Sequence, residues 1–398
     1  MESYVLDWVQ LVFRWLHVIT GIAWIGASFY FVWLDNSLRE PPQWKKDKGI
    51  KGDLWSIHGG GIYEVAKYEL APEKMPETLH WFKWEAYTTW LTGMVLLIIV
   101  FYLGADSYLI DKRVADLSQW QAIGIGVGSL ISGWVIYAML CNTRLADNGK
   151  LIAALLIALA VVYSYTLTHL FSGRGAYIHM GAIIGTIMVG NVFRVIMPSQ
   201  RALVAAIEKG ERPEPAWGIK AKLHSTHNNY LTLPLIFIMI SNHYPMTYAH
   251  EHSWLVLLAI IAITAFARHY FNLQHRGIKR PIILIAAAIA AATLAFVIAP
   301  KPLAIPEGGF EISQLPEVKA VLTERCATCH SATPSDDVFT VAPMDVVLDT
   351  LEQMQQWAPR IKARSIDTSD MPFMNKTEMT DEERALIAQW IAADAPLH

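Results

Sequence analysis

The chain has 398 residues, 54% of them hydrophobic and only 17% charged, with 15 tryptophans and a mean hydropathy of +0.31. That balance excludes an ordinary soluble globular domain and reads as a membrane protein. The formal net charge of −3 singles out no partner, and no nucleic acid is expected.

A membrane-crossing helix needs roughly 20 mostly apolar residues, and eight segments qualify. They lie near Trp8–Leu34, Glu85–Gly104, Trp120–Cys141, Leu151–Phe171, Ala176–Met197, Leu223–Ser241, Trp254–Tyr270 and Pro281–Pro300. The first is long, rich in tryptophan and lacks a small-residue cleavage site, so it reads as a retained span. Within it Arg14, His17, Gly21, Trp24 and Ser28 recur at three- and four-residue steps. They form one polar or small stripe on an apolar cylinder, a face that a second helix or a flat ring can approach closely.

The connection after the first span is about 50 residues, too long for a simple turn. Leu54–His58 and Ile62–Leu70 are strand-like runs around Gly59-Gly60-Gly61, which predicts a hairpin with a glycine turn. The glycines lack the spacing of a phosphate cradle, and no nucleotide fingerprint opens a helix elsewhere.

Ionisable side chains inside spans cost about 2.5–3.5 kcal/mol each at mid-helix and are functional candidates by default. They fall into two levels. His17, His169, His179 and His243 lie toward one end of their spans; Arg194, His224, His227, Arg268 and His269 lie toward the other. His17 is a candidate ligand of a non-covalent haem b, with His169 or His179 opposite; the alternative is a hydrogen bond across the bundle. In the second level His224, His227 and Asn228 share a helix face at i, i+3 and i+4. With Asn229 and Arg194 they would suit a planar, polar, weakly acidic ligand, against the plainer reading of capping and interfacial solvation.

Late in the chain stands C-A-T-C-H, residues 326–330, the attachment pattern of a c-type haem. On a helix Cys326 and Cys329 lie one turn apart on one face, placed to form two thioethers to one porphyrin, with His330 as axial ligand. Only one further cysteine exists, Cys141, too few for a four-ligand zinc site. A second axial ligand is commonly a methionine. Met371, followed by Pro372 and a last amphipathic helix, is the choice, with Met374 and Met344 as alternatives. The expected organisation is therefore all-α: an eight-span membrane domain over 1–304 and a small class I cytochrome c domain over 310–398.

Covalent haem is attached outside the cytoplasm, which with eight spans puts both termini on the periplasmic side of the inner membrane. The positive-inside rule agrees. The odd-numbered connections (35–84, 142–150, 198–222 and 268–280) carry 19 Lys and Arg, and the even-numbered ones (105–119, 172–175 and 242–253) carry 3.

Three stretches resemble the bacterial membrane-bound urate oxidase (urate hydroxylase) family. They are R-W-L-H-V-I-T-G-I-A-W-I-G over 14–26, H-G-G-G-I-Y over 58–63, and L-H-W-F-K-W-E-A-Y-T-T-W over 79–90. The resemblance implies oxidation of urate to 5-hydroxyisourate with water as oxygen source, electrons leaving through the cytochrome domain to a respiratory-chain acceptor. On that reading Arg194, Asn228 and Asn229 recognise the purine, and His224, His227 or His80 acts as general base. The competing expectation is an electron-transfer subunit with no organic substrate of its own.

Overall fold

The computed structural model describes residues 2–274, 277–299, 309–368 and 370–398, with the side chains of residues 2, 3 and 374 outside the description. It is mostly helical, as the composition predicts. The chain divides into two compact units, one of Met1–Asn242 with Trp254–Leu294, the other of His243–Ser253 with Ala295–His398.

The apolar segments fold as α1 (Glu2–Ser37), α2 (Trp84–Leu96, prolonged by a wider turn over Leu97–Tyr102), α3 (Gln119–Cys141) and α4 (Gly149–Thr168). They continue as α5 (Gly173–Asn191, prolonged through Val192–Ile196 into Met197–Glu208), α6 (Pro215–Ser241), α7 (Ser253–Gln274) and α8 (Ile282–Val297). Six are long and apolar enough to cross a bilayer; α6 and α8 are not among them. α8 is only 16 residues long. α6 has the length, 27 residues, but its first half is Pro-Ala-Trp-Gly-Ile-Lys-Ala-Lys-Leu-His-Ser-Thr-His-Asn-Asn, which dilutes its hydropathy. The helix thus starts two turns before the predicted Leu223, because Pro215 suits a first helical position.

Helix starts are set by local chemistry. Ser118 and Gln121 form a reciprocal capping box at α3. Asn148 caps α4 and Ser172 caps α5 through side-chain oxygens. α5 is the most enclosed helix, 56% of its apolar window buried against 28% or less for the other five. It packs on α3, α4 and α6.

The stripe on α1 faces α2, as the spacing predicts. Gly21 lets Thr89 approach, and Trp24 packs beside Ala86. The only sheet among the described residues is the predicted hairpin. Strands β1 (Ile50–His58) and β2 (Gly61–Tyr68) pair antiparallel. Gly59 and Gly60, at φ +56° and +81°, make the two-residue turn that only such backbones allow. Lys45 closes the hairpin's base on Asp53 (2.6 Å) and Glu64.

The second unit is built on α9 (Leu315–Leu322), α10 (Leu351–Gln356) and α11 (Asp381–Ala392). Its core gathers Val318, Leu322, Met354, Ile387 and Trp390, all fully buried.

Candidate functional site

A cavity of about 220 Å³ opens where α3, α5 and α6 meet. Its mouth carries the exposed cations Arg194 and Lys220, and its inner wall carries Tyr137, Asn191 and His224, each 2% exposed. Cations at an entrance and neutral donors within suit an anionic, polar ligand. Trp134 supplies an aromatic wall, seated so tightly on Gly190 that a Cβ there would lie 2.1 Å from its indole nitrogen. Only glycine permits that approach.

The polar groups form a directed chain. The Asn191 amide donates to Tyr137 Oη (2.9 Å) and to Asn228 Oδ1 (2.8 Å), and Asn228 Nδ2 donates to the Met188 carbonyl (2.9 Å). Tyr137 Oη accepts from Asn191 and is also hydrogen-bonded to His227 Nδ1, 2.8 Å away. His224 Nδ1 donates to the Lys220 carbonyl (2.9 Å), which makes Nε2 the acceptor of the neutral ring.

Of the residues predicted for this site, Arg194 and His224 line the cavity, and His227 and Asn228 stand behind it through Tyr137 and Asn191. Asn229 turns away to accept from Arg268 Nε at 2.5 Å. His80 is not in the cavity wall; it is exposed, edge-on to Phe82 (4.5 Å) and 3.8 Å from Glu85. Tyr137, Asn191, Trp134 and Lys220 were not singled out from sequence. Each is a lone polar or aromatic residue in an apolar or mixed run, with partners 37 to 90 residues away.

His17, His169 and His179 each make their own separate contacts. His17 Nδ1 bonds across to the Thr89 carbonyl (2.9 Å) and Thr92 Oγ1 (3.1 Å), the cross-bundle alternative. His179 is fully buried, its Nδ1 donating to Gly175 (2.8 Å) and its Nε2 paired with Tyr102 Oη (3.2 Å). A Cβ on Gly126 would sit 2.7 Å from that Nε2. His169 is exposed, stacked on Tyr165 with ring centres 4.0 Å apart. With both nitrogens of His179 engaged and Gly126 closing on its Nε2, His179 does not fit a haem b ligand.

In the second unit the donor set fits a covalent haem. Cys326 and Cys329 are unpaired thiols, and His330 Nδ1 donates to the Val346 carbonyl (3.2 Å), which reserves Nε2 for a metal. Burial pushes the thiol of Cys326 up to about 12 and that of Cys329 up to about 11. Met371 is clamped at both backbone ends. Its N–H donates to the Arg364 carbonyl (3.0 Å), and its carbonyl accepts from buried Arg384 (2.8 Å). Met344 is 76% exposed, and the side chain of Met374 lies outside the described residues.

Taken together, the fold and the pocket define a helical membrane protein with a polar, cation-lipped site between its apolar helices. The chain belongs to the urate oxidase N-terminal family, which matches it over residues 3–299 and so covers every helix of the pocket. Family membership points to urate-related oxidation. No curated protein and no solved structure shows a significant match.

Proposed function

We propose that the protein oxidises urate to 5-hydroxyisourate in the α3–α5–α6 cavity and delivers the electrons through haem c to a respiratory-chain acceptor. Counted from neutral uric acid, each turnover adds one oxygen from water and releases two protons and two electrons, the first proton already lost where urate binds as its monoanion. The site must therefore hold an anion, handle protons and part with electrons. The observation that carries the reading is the cavity itself: cations at the lip, a neutral proton-accepting chain behind, on helices of a urate oxidase family.

Arg194 and Lys220 draw the urate anion in, and Trp134 offers a flat face to the purine. His224 Nε2 accepts a proton at the cavity wall. Tyr137 relays any proton leaving the cavity, its Oη taking one up as its own passes to His227 Nδ1, with Asn191 holding the phenol in orientation. Asn228 serves as the brace of that chain. Cys326, Cys329, His330 and Met371 would hold the haem, which supplies one-electron acceptance when bound. Haem attachment outside the cytoplasm and the excess of Lys and Arg in alternate connections favour an inner-membrane protein with both termini periplasmic and eight spans.

Purified chain, mixed with urate and no other subunit, is expected to develop the spectrum of reduced haem c and to incorporate labelled oxygen from water. His224→Ala is expected to slow this reduction at least a hundredfold at unchanged haem content, and Tyr137→Phe about tenfold through loss of one hydrogen bond. Haem that stays oxidised in the wild-type chain would return the protein to the electron-relay reading.

A further inference from the structure

Away from the cavity, the seam of α1, α6 and α7 holds a charge that nothing in the proposed chemistry uses. Arg268 lies in the membrane-spanning part of the chain and is 3% exposed. Its guanidinium packs over Phe29 of α1 (4.6 Å) and Phe271 (5.8 Å), and its Nε donates to Asn229 of α6 at 2.5 Å. One terminal nitrogen, NH2, is buried with no acceptor. One turn later on α7, the buried Nδ2 of Asn272 also has none. Among the described residues no carboxylate pairs with Arg268, although ion pairs are found elsewhere in both units.

An arginine withdrawn from water without a counter-charge is strongly disfavoured, and each buried donor left unmade adds a further penalty. Two such donors one helical turn apart on α7, one of them cationic, have the composition of an anion receptor. The planar fork of a guanidinium matches a planar oxyanion better than a spherical ion.

We infer that Arg268 and Asn272 form a binding site for a small planar monoanion presenting carboxylate- or enolate-type oxygens, distinct from the α3–α5–α6 cavity. Asn229 orients the guanidinium through Nε and leaves NH2 for the ligand. Tyr230 and His269, hydrogen-bonded at 2.6 Å and stacked, border the same α6–α7 seam. Two sources supply such oxygens, a simple carboxylate and the urate anion itself. Only the second rests on the function proposed above.

The test uses the full chain in nanodiscs, with acetate as probe, its neutral isostere acetamide as control, and urate as a separate arm. Acetate is expected to raise the unfolding midpoint saturably, and acetamide to leave it unchanged. Arg268→Gln is expected to weaken the acetate response at least tenfold, as loss of a charged hydrogen bond requires, and Asn272→Leu to weaken it less. Should Arg268→Gln fold poorly, Arg268→Lys, which keeps the charge but not the fork, is expected to weaken acetate binding. A urate response that survives His224→Ala but not Arg268→Gln assigns the substrate anion to this seam; one lost with His224→Ala while acetate still binds leaves the seam to simple carboxylates. An acetate response absent from the wild type, matched by acetamide or retained in Arg268→Gln overturns the site. Absence of urate-driven haem reduction with the acetate response intact would remove the proposed function and not this inference.

Discussion

Glu383 of α11 shows how single residues set the acid behaviour of the second unit. Burial pushes its carboxyl up, but the hydrogen bonds from Arg325 (2.9 Å) and from the Thr380 N–H outweigh it and hold it below its ordinary 4.5. A carboxylate lowered on folding contributes stability above its unfolded value, and that stability is lost as the pH falls through the folded one. Arg325→Met removes the main stabiliser of the charge, so the second unit is expected to open to protease at a higher pH than in the wild type, read by mapping cleavage sites across an acid series. An unchanged opening pH would show that the pair contributes nothing there.

The expectation for this second unit rests on local spacing alone, since covalent haem attachment would fix two cysteines and a histidine within five positions. The pocket was only half legible. His224 and His227 stand out because imidazoles are rare in spans, whereas Tyr137 and Asn191 acquire meaning only when α3 and α5 meet. His80 drew notice by sitting in a distinctive run, yet its packing is against Phe82 and Glu85.

Among the elements, the α3–α5 contact decides the shape of the cavity. Gly190→Ala places a methyl where Trp134 now lies, and overpacking of this kind costs about 1–3 kcal/mol. The expected result is a lower unfolding midpoint together with a raised KM for urate, because the displaced indole is the wall on which the purine would rest. A KM unchanged despite the loss of stability would show that Trp134 takes no part in binding. Element by element, the apolar runs and the glycine-turned hairpin were visible in sequence, since periodicity and turn chemistry are local. The early start of α6 was not, because its first turns are too polar to register as a span and are helical through Pro215 and packing on α5.

Across the whole molecule, the uneven distribution of Lys and Arg among the connections is the basis of the proposed orientation, which no single element contains. A cysteine in place of exposed Lys51 in β1 is expected to react with an impermeant maleimide only after the inner membrane is opened, and a tag after His398 to be reachable from the periplasm without opening it. Labels found on the reverse sides would invert every loop assignment. Such asymmetry is legible in sequence because it is a count. What the count could not supply is the order of enclosure among the helices.

That order has a consequence in time. α5 is the helix most screened by its neighbours, and amide hydrogens exchange last where opening requires the most contacts to part. Its backbone should therefore hold deuterium out longest while the outer helices loosen and breathe. The wall carrying Asn191 and Gly190 would then keep its form through the slow fluctuations of the bundle around it, as the last surface of the protein to forget its shape.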